Sequence, residues 1–331
     1  LAERLAEIQT WLADDLGHLE RALAEVADEG GDLADRAAAH LLGRPGKRIR
    51  PLCVFLASRL GAESDGPPER GLKDLASAAE LVHGATLLHD DVIDQGQERR
   101  GAPTARVLFG NPASVLGGDL LLVEALRRVR SAGHDRLLGQ LLDVISEMVA
   151  AEALQLERRG RFEADRELYL RVVRGKTAAL FEWAMVAGGT VAGLDADSLS
   201  HLGRAGVQVG IAFQMVDDTL DLAESQGATG KDTLLDLREG KLTWPLIVAT
   251  DRDPGLREEF QRVAADEAVL DNADYVGSLR RRIVATGCVE ATIEDALHWA
   301  RGARKEIGYL PPCAARDALE AVVDVAARRS V

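Results

Sequence analysis

The residues in this sequence whose types and spacing can do chemistry are two copies of Asp-Asp-x-x-Asp, Asp90-Asp91-Val92-Ile93-Asp94 and Asp217-Asp218-Thr219-Leu220-Asp221. Each copy closes a long apolar segment with helical spacing. At about 3.6 residues per turn, Asp90 and Asp94 share one helix face, and so do Asp217 and Asp221. Three carboxylates within about one turn repel one another unless cations lie between them. Hard divalent cations such as Mg²⁺ take oxygen ligands, keep several waters and bridge to phosphate oxygens. Acid at a helix C-terminus also opposes the macrodipole, so carboxylates kept there at a cost point to a function. One such cluster alone is most often solvated surface. Two, at the ends of apolar helices, would form a clamp for a diphosphate if folding set them across a cavity.

The basic residues matter most near those clusters. Gly46-Lys47-Arg48-Ile49-Arg50-Pro51 places Lys47 and Arg50 three apart, where Pro51 can begin a helix. A helix N-terminus with adjacent cations is a good anion site, although the hexamer alone reads first as a solvated basic loop. Arg99-Arg100-Gly101 follows the first aspartate motif by a short loop, where a metal-bound diphosphate would need bidentate counter-charge. Lys176-Thr177 sits in a helical stretch. Lys231 and Lys241 stand in a glycine-punctuated segment after the second motif, either a lid over the site or a turn.

The elements that must carry these residues read as helices. Leu72, Leu75, Ala79, Val82 and Thr86 form one stripe leading to Asp90; Leu168, Val172, Leu180 and Trp183 mark another segment, and Leu202, Val209 and Phe213 a third. Breaks fall at 63–70, 95–103, 224–240 and 251–255. With 331 residues, 47% of them hydrophobic, the chain can bury a sizeable core. The expectation is an all-α fold, a helical bundle in one domain over residues 1–331, in which the two distant motifs are brought together. No apolar run reaches the ~18 residues of a membrane span, and no signal peptide is expected. Cys53, Cys288 and Cys313 have no metal-type spacing and read as free thiols of a reducing, cytoplasmic compartment. A net charge of −14 argues against nucleic acid as a partner.

Taken in order, these elements resemble the trans-isoprenyl diphosphate synthases of the polyprenyl synthetase family. The resemblance runs from about Arg44 to Pro245: Gly-Lys-Arg-x-Arg-Pro, His83, Leu-Leu-His-Asp-Asp-x-x-Asp, Arg-Arg-Gly, Phe109-Gly110-Asn111, Gly118-Asp119, Lys176-Thr177, Gln214 with the second motif, and Gly-Lys-x-Thr-x-Pro. It departs at Arg44-Pro45, where the family more often has small residues. The resemblance implies antiparallel helices around a deep central cavity, commonly in a homodimer, and a Mg²⁺-dependent head-to-tail condensation. Asp90, Asp91, Asp94, Asp217, Asp218 and Asp221 would serve as metal ligands, for a set of three Mg²⁺ ions once substrate is bound, with Asp221 the least secure. Asp90, Asp94, Lys176 and Asp217 would be catalytic. Arg99, Lys176, Thr177, Gln214, Lys231 and Lys241 would contact the allylic diphosphate, and Lys47, Arg50, His83 and Arg100 would hold isopentenyl diphosphate.

The growing product is expected to run back along the helix before Asp90, past Thr86, Ala85, Val82, Ala79 and Ala78, none of them aromatic. In the family, short-chain members commonly block this region with Phe or Tyr near the position of Ala85. Small residues here imply a product of the C30 to C50 class, with C20 or farnesyl as the alternative, although small residues also serve close helix packing. A class I terpene cyclase fits less well, because the second motif repeats Asp-Asp-x-x-Asp and aromatics make up only 4% of the chain. A non-catalytic subunit of a heteromeric synthase is a further alternative, against which both aspartate motifs stand intact.

Overall fold

The three- and four-residue apolar spacing is realised as helix along nearly all of the chain. The computed structural model describes residues 2–27, 30–61, 70–99, 101–222 and 234–328. Its helices begin with α1 (Ala2–Trp11), α2 (Ala13–Ala24), α3 (Leu33–Leu42), α4 (Ile49–Ala57), α5 (Arg70–Ile93), α6 (Ala105–Phe109) and α7 (Asn111–Ser131). There follow α8 (Asp135–Arg158), α9 (Arg166–Val173), α10 (Ala179–Val191), α11 (Ala196–Leu220) and α12 (Leu235–Arg238). The last are α13 (Trp244–Arg252), α14 (Gly255–Ala265), α15 (Ala273–Ala285), α16 (Cys288–Ile307) and α17 (Ala314–Ala327). Among the described residues the only strands are β1 (Glu98–Arg99) and β2 (Ala102–Pro103), an antiparallel pair inside the break expected at 95–103. No helix among them is long and apolar enough to cross a membrane.

The chain divides into two compact units. The first comprises Leu1–Asp143, Trp183–Gly203 and Gly308–Val322, and the second Val144–Glu182, Arg204–Ile307 and Val323–Val331. In the first unit α5 packs chiefly on α7, with α3 and α4 beside it. α4 carries Leu52, Cys53, Val54, Phe55 and Leu56 in succession and is buried on every side, as a helix apolar all round must be. It begins at Ile49, two residues before the expected start at Pro51. The reason is Arg48, whose left-handed backbone (φ 48°) turns the chain into the helix, leaving Pro51 in the first turn, where no N–H bond is required. α5 ends at Ile93, one residue before the last aspartate of the first motif. Gln95 adopts φ 55° and the Gly96 N–H reaches back to the Asp91 carbonyl at 2.9 Å, closing the last turn.

In the second unit α11 ends at Leu220, immediately before Asp221. α9 passes into α10 through a single π-helical turn, Arg174–Ala178, which contains Lys176 and Thr177. Such turns widen a helix locally and are frequent at functional sites. α13 starts at Trp244 with Pro245 in its first turn, so the second motif of glycine, lysine and proline is a loop feeding a buried helix.

Candidate active site

In the first unit the fold sorts the residues of α5 by helical face. His83, Thr86, Asp90 and Asp94 lie at i, i+3, i+7 and i+11 and are all partly exposed, whereas Ala78, Ala79, Val82 and Ala85 are wholly buried. The expected pair, Asp90 and Asp94, therefore shares an open face, with His83 about two turns back on it. Asp91 points elsewhere. It is 2% exposed, and its Oδ1 accepts the Arg99 Nε and Nη2 protons at 3.0 and 2.8 Å. Burial pushes the Asp91 carboxyl up, against the opposing pull of Arg99. Arg106 holds the same hairpin by donating to the Gln95 and Gly96 carbonyls at 2.9 and 3.2 Å. Arg99, expected on a diphosphate, is thus braced on the motif's middle aspartate. Lys47 is exposed and Arg50 is 8% exposed at the start of α4. Arg100 lies outside the described residues.

In the second unit a hydrogen-bonded chain runs between helices. Thr177 Oγ1 donates to Gln214 Oε1 at 2.8 Å, and Gln214 Nε2 donates to Asp218 Oδ1 at 2.8 Å. The Tyr169 hydroxyl donates to Asp218 Oδ2 at 2.6 Å. Glycines allow the approach: a Cβ on Gly210 would stand 2.4 Å from the Ala178 Cα, and one on Gly206 2.6 Å from the Glu182 Cα. Gly206, Gly210 and Gln214 lie four apart on one face of α11, so the stripe that admits the neighbouring helix also delivers Gln214 to Thr177.

Asp217 and Asp221 remain partly exposed on α11 and just beyond it, whereas Asp218 is 6% exposed. Burial pushes the Asp218 carboxyl up to about 7, with the Tyr169 and Gln214 hydrogen bonds pulling it back and the charge of Asp217 adding to the rise. Asp221 accepts the N–H groups of Leu235 and Asp236 at 2.8 and 3.2 Å, tying α12 to the second motif. Its carboxyl is pushed up to about 6, chiefly by burial and against those two bonds. Asp236 is driven well above the ordinary range by burial and by the charges of Asp221 and Asp218. Lys176 is held by α8, with Nζ 2.5 Å from Glu152 Oε2 and 3.2 Å from Gln155 Oε1. Lys241 pairs with Glu239 at 2.7 Å. Lys231 lies outside the described residues.

The donor set suits a hard cation. Among the described residues no three acidic or sulfur and nitrogen side chains form a ready-made metal cluster. Mg²⁺ does not need one, because it binds through one or two carboxylates and completes its shell with water and phosphate oxygens. Asp90, Asp94 and Asp217 are carboxylates on partly exposed faces. Asp91 and Asp218, expected as ligands, are instead occupied by Arg99 and by Tyr169 and Gln214. Burial is the chief cause that raises the Asp218, Asp221 and Asp236 carboxyls, and a cation bound beside them would favour their charged forms.

Sequence reasoning missed Tyr169, Glu152, Gln155 and Asp236. A signal existed for the α8 pair, since Glu152 and Gln155 are three apart on one helix face and Lys176, within a helix, needs counter-charge. Tyr169 gave none.

Among the described residues, a mainly helical fold with carboxylates on two partly exposed helix faces and with lysines and arginines in the same motifs suits a class of protein that handles diphosphates. The polyprenyl synthetase family model matches residues 32–275, and the chain belongs to that family. It is a prenyltransferase. The octaprenyl diphosphate synthase of Escherichia coli is 32% identical to it over 326 residues, 98% of this chain and 99% of that one. Component 2 of the heptaprenyl diphosphate synthase of Geobacillus stearothermophilus is 35% identical over 279 residues, 84% of this chain and 85% of its own. The crystal structure of a decaprenyl diphosphate synthase from Rhodobacter capsulatus superposes with a TM-score of 0.87 at 34% identity, covering 98% and 99% of the two chains.

Proposed function

We propose that this protein joins isopentenyl diphosphate head-to-tail to an allylic diphosphate, releasing pyrophosphate and building an all-trans polyprenyl diphosphate of the C30 to C50 class. The observation that carries this reading is the open face of α5, where Asp90 and Asp94 lie in line with Thr86 and His83. On this reading residues 1–331 form a single domain. Each compact unit is assembled from separated stretches of chain, which supports one domain over two.

Asp90 and Asp94 in the first motif, and Asp217 and Asp221 in the second, would hold Mg²⁺, three ions once substrate is bound. Bound there, the metal supplies Lewis-acid stabilisation of charge on the departing pyrophosphate. The chain's own residues do the rest. Lys176, Lys231, Lys241 and Arg99 supply counter-charge to the allylic diphosphate. Lys47, Arg50, His83 and Arg100 hold isopentenyl diphosphate, so that its double bond is aligned on the allylic C1. The Thr177 proton is committed to Gln214, so the Thr177 oxygen presents lone pairs, which favour positive charge on a nearby carbon. No side chain in the motifs is an obvious base, so the proton lost after condensation goes to pyrophosphate.

Thr86 lies on the open face and Ala85 and Val82 behind it, so bulk at these positions sets the product length. The free thiols Cys53, Cys288 and Cys313 support a cytoplasmic location. A homodimer is supported by apolar side chains exposed on α6 and α7: Val107, Leu108, Val115, Leu116 and Val123.

The test is incubation of the pure protein with isopentenyl diphosphate, an allylic primer and Mg²⁺, followed by chromatography of the products. A ladder ending between C30 and C50, abolished by EDTA, is expected. A cyclised hydrocarbon, or full turnover in EDTA, would overturn the proposal.

A further inference from the structure

Arg48, which lies between Lys47 and Arg50 in the Gly-Lys-Arg-x-Arg-Pro loop, has no substrate role in the reading above, yet its side chain is buried and bonded to three helices. The Arg48 side chain is 6% exposed. Its Nε and Nη2 donate to the two carboxylate oxygens of Glu20 on α2, at 2.8 and 3.0 Å, in a bidentate fork. Its Nη1 donates to Glu80 Oε1 on α5 at 2.7 Å, and Nη2 also reaches the Leu42 carbonyl at the end of α3 at 3.4 Å. Burial opposes the guanidinium's charge, but the two carboxylates outweigh it and hold Arg48 cationic. The backbone at Arg48 is left-handed, φ 48° and ψ 37°, a conformation that costs a non-glycine residue energy and persists only where the surroundings enforce it. That same residue's carbonyl accepts the first hydrogen bond of α4, from Leu52 N at 2.9 Å.

These observations fit together in one way. The strained residue sets the direction in which Lys47 leaves the loop and in which α4, carrying Arg50, begins. What enforces the strain is a side-chain latch onto three other helices. One of those, α2, lies outside residues 32–275, the stretch that the family model matches. We propose that Glu20, Arg48 and Glu80 form a positioning latch through which the N-terminal helix α2 sets the geometry of the isopentenyl diphosphate loop. The inference rests on the reading of Lys47 and Arg50 as the holders of that substrate, and its test separates the two.

Glu20 is the informative variant, because its side chain is 53% exposed and its removal opens no core cavity. Glu20→Ala is expected to raise the KM for isopentenyl diphosphate about tenfold, equivalent to ~1.4 kcal/mol of lost binding. The kcat and the KM for the allylic primer are expected to stay within about twofold, because only ground-state binding of one substrate is removed. Arg48→Lys keeps the charge and loses the planar fork, so it is expected to raise the same KM as far as Glu20→Ala does. Lys47→Ala is the control on the underlying reading. If Lys47→Ala raises the KM for isopentenyl diphosphate while Glu20→Ala and Arg48→Lys leave it unchanged, the latch is overturned alone. If both latch variants instead impair both substrates and kcat in step with a fall in Tm, the triad is merely structural and the proposal again fails. If Lys47→Ala leaves that KM unchanged, the loop is not the substrate's holder, and the reading and the latch fall together.

Discussion

Within each aspartate motif the three carboxylates stand in different surroundings. The outer residues, Asp90 and Asp94 or Asp217 and Asp221, keep some exposure, while the middle residues Asp91 and Asp218 are enclosed. Replacing Asp217 by Asn should therefore lower kcat by about 10²-fold or more with little change in stability, since an electrostatic contribution to the transition state is lost. Tyr169→Phe should do the reverse, costing ~1.5–3 kcal/mol of stability by removing a hydrogen bond to a buried carboxylate. Steady-state elongation assays and denaturant unfolding of the two variants would distinguish the roles. The raised carboxyls also make the metal-free protein sensitive to pH. A folded-state pKa above the unfolded one gives stability that is present at low pH and is lost as pH rises through the folded value. Asp221 at about 6 and Asp218 at about 7, against an ordinary 3.8, place that loss between pH 4 and pH 7. Thermal melts in EDTA should show Tm falling across that window, and Mg²⁺ with pyrophosphate should restore it most at the upper end. A flat profile would mean the two groups ionise in the fold as they do in the open chain.

At the scale of elements, the helices were legible because their apolar stripes were continuous, and the faces were legible where the period was applied. One residue's step is about 100° around a helix, so Asp91 had to leave the Asp90–Asp94 face, and Asp218 the Asp217–Asp221 face. Counting acids in the motif hid that, and the period reveals it. The start of α4 was misplaced because Pro51 is a local signal, whereas the true start depends on Arg48 pairing with Glu20 and Glu80, remote in sequence. The approach of α11 to the π-helical turn is likewise invisible without the fold. Gly210→Ala tests it: a Cβ meeting the Ala178 backbone at 2.4 Å must push the helices apart, at a cost of ~1–3 kcal/mol. Because Gln214 is one turn further along, elongation activity should fall with it, while Gly139→Ala, where a Cβ meets nothing within 4 Å, should do neither. Ala85 gives a different test. It is wholly buried, so Ala85→Phe either fills the product's path or overpacks the helix. A shorter product ladder with an unchanged Tm supports the path along α5. A fall in Tm with the ladder unaltered would remove Ala85 from it.

At the scale of the whole molecule, helical period was enough to indicate an all-α fold, whereas the prenyltransferase reading came from the resemblance of the ordered short motifs to the polyprenyl synthetase family. Assembly is less legible, since an exposed apolar residue looks the same in sequence as a buried one. The fold separates them. On α7, Ala113, Leu121, Ala125 and Val129 are buried, while Leu116 is 52% and Val123 46% exposed, one heptad apart on the opposite side. Val115 on α7 and Val107 and Leu108 on α6 extend the exposed apolar surface. Such residues lower the energy only when water is removed from them, and a second copy offering the same surface around a two-fold axis would do so. A charge there would have to be desolvated without a partner, which association cannot repay. Leu116→Glu should therefore convert a dimer to a monomer by light scattering, leaving the far-UV circular dichroism and the monomer fold intact because the side chain faces outward. A wild-type protein that is already monomeric at micromolar concentration, or a Leu116→Glu protein that stays dimeric, would place the subunit contact elsewhere or remove it.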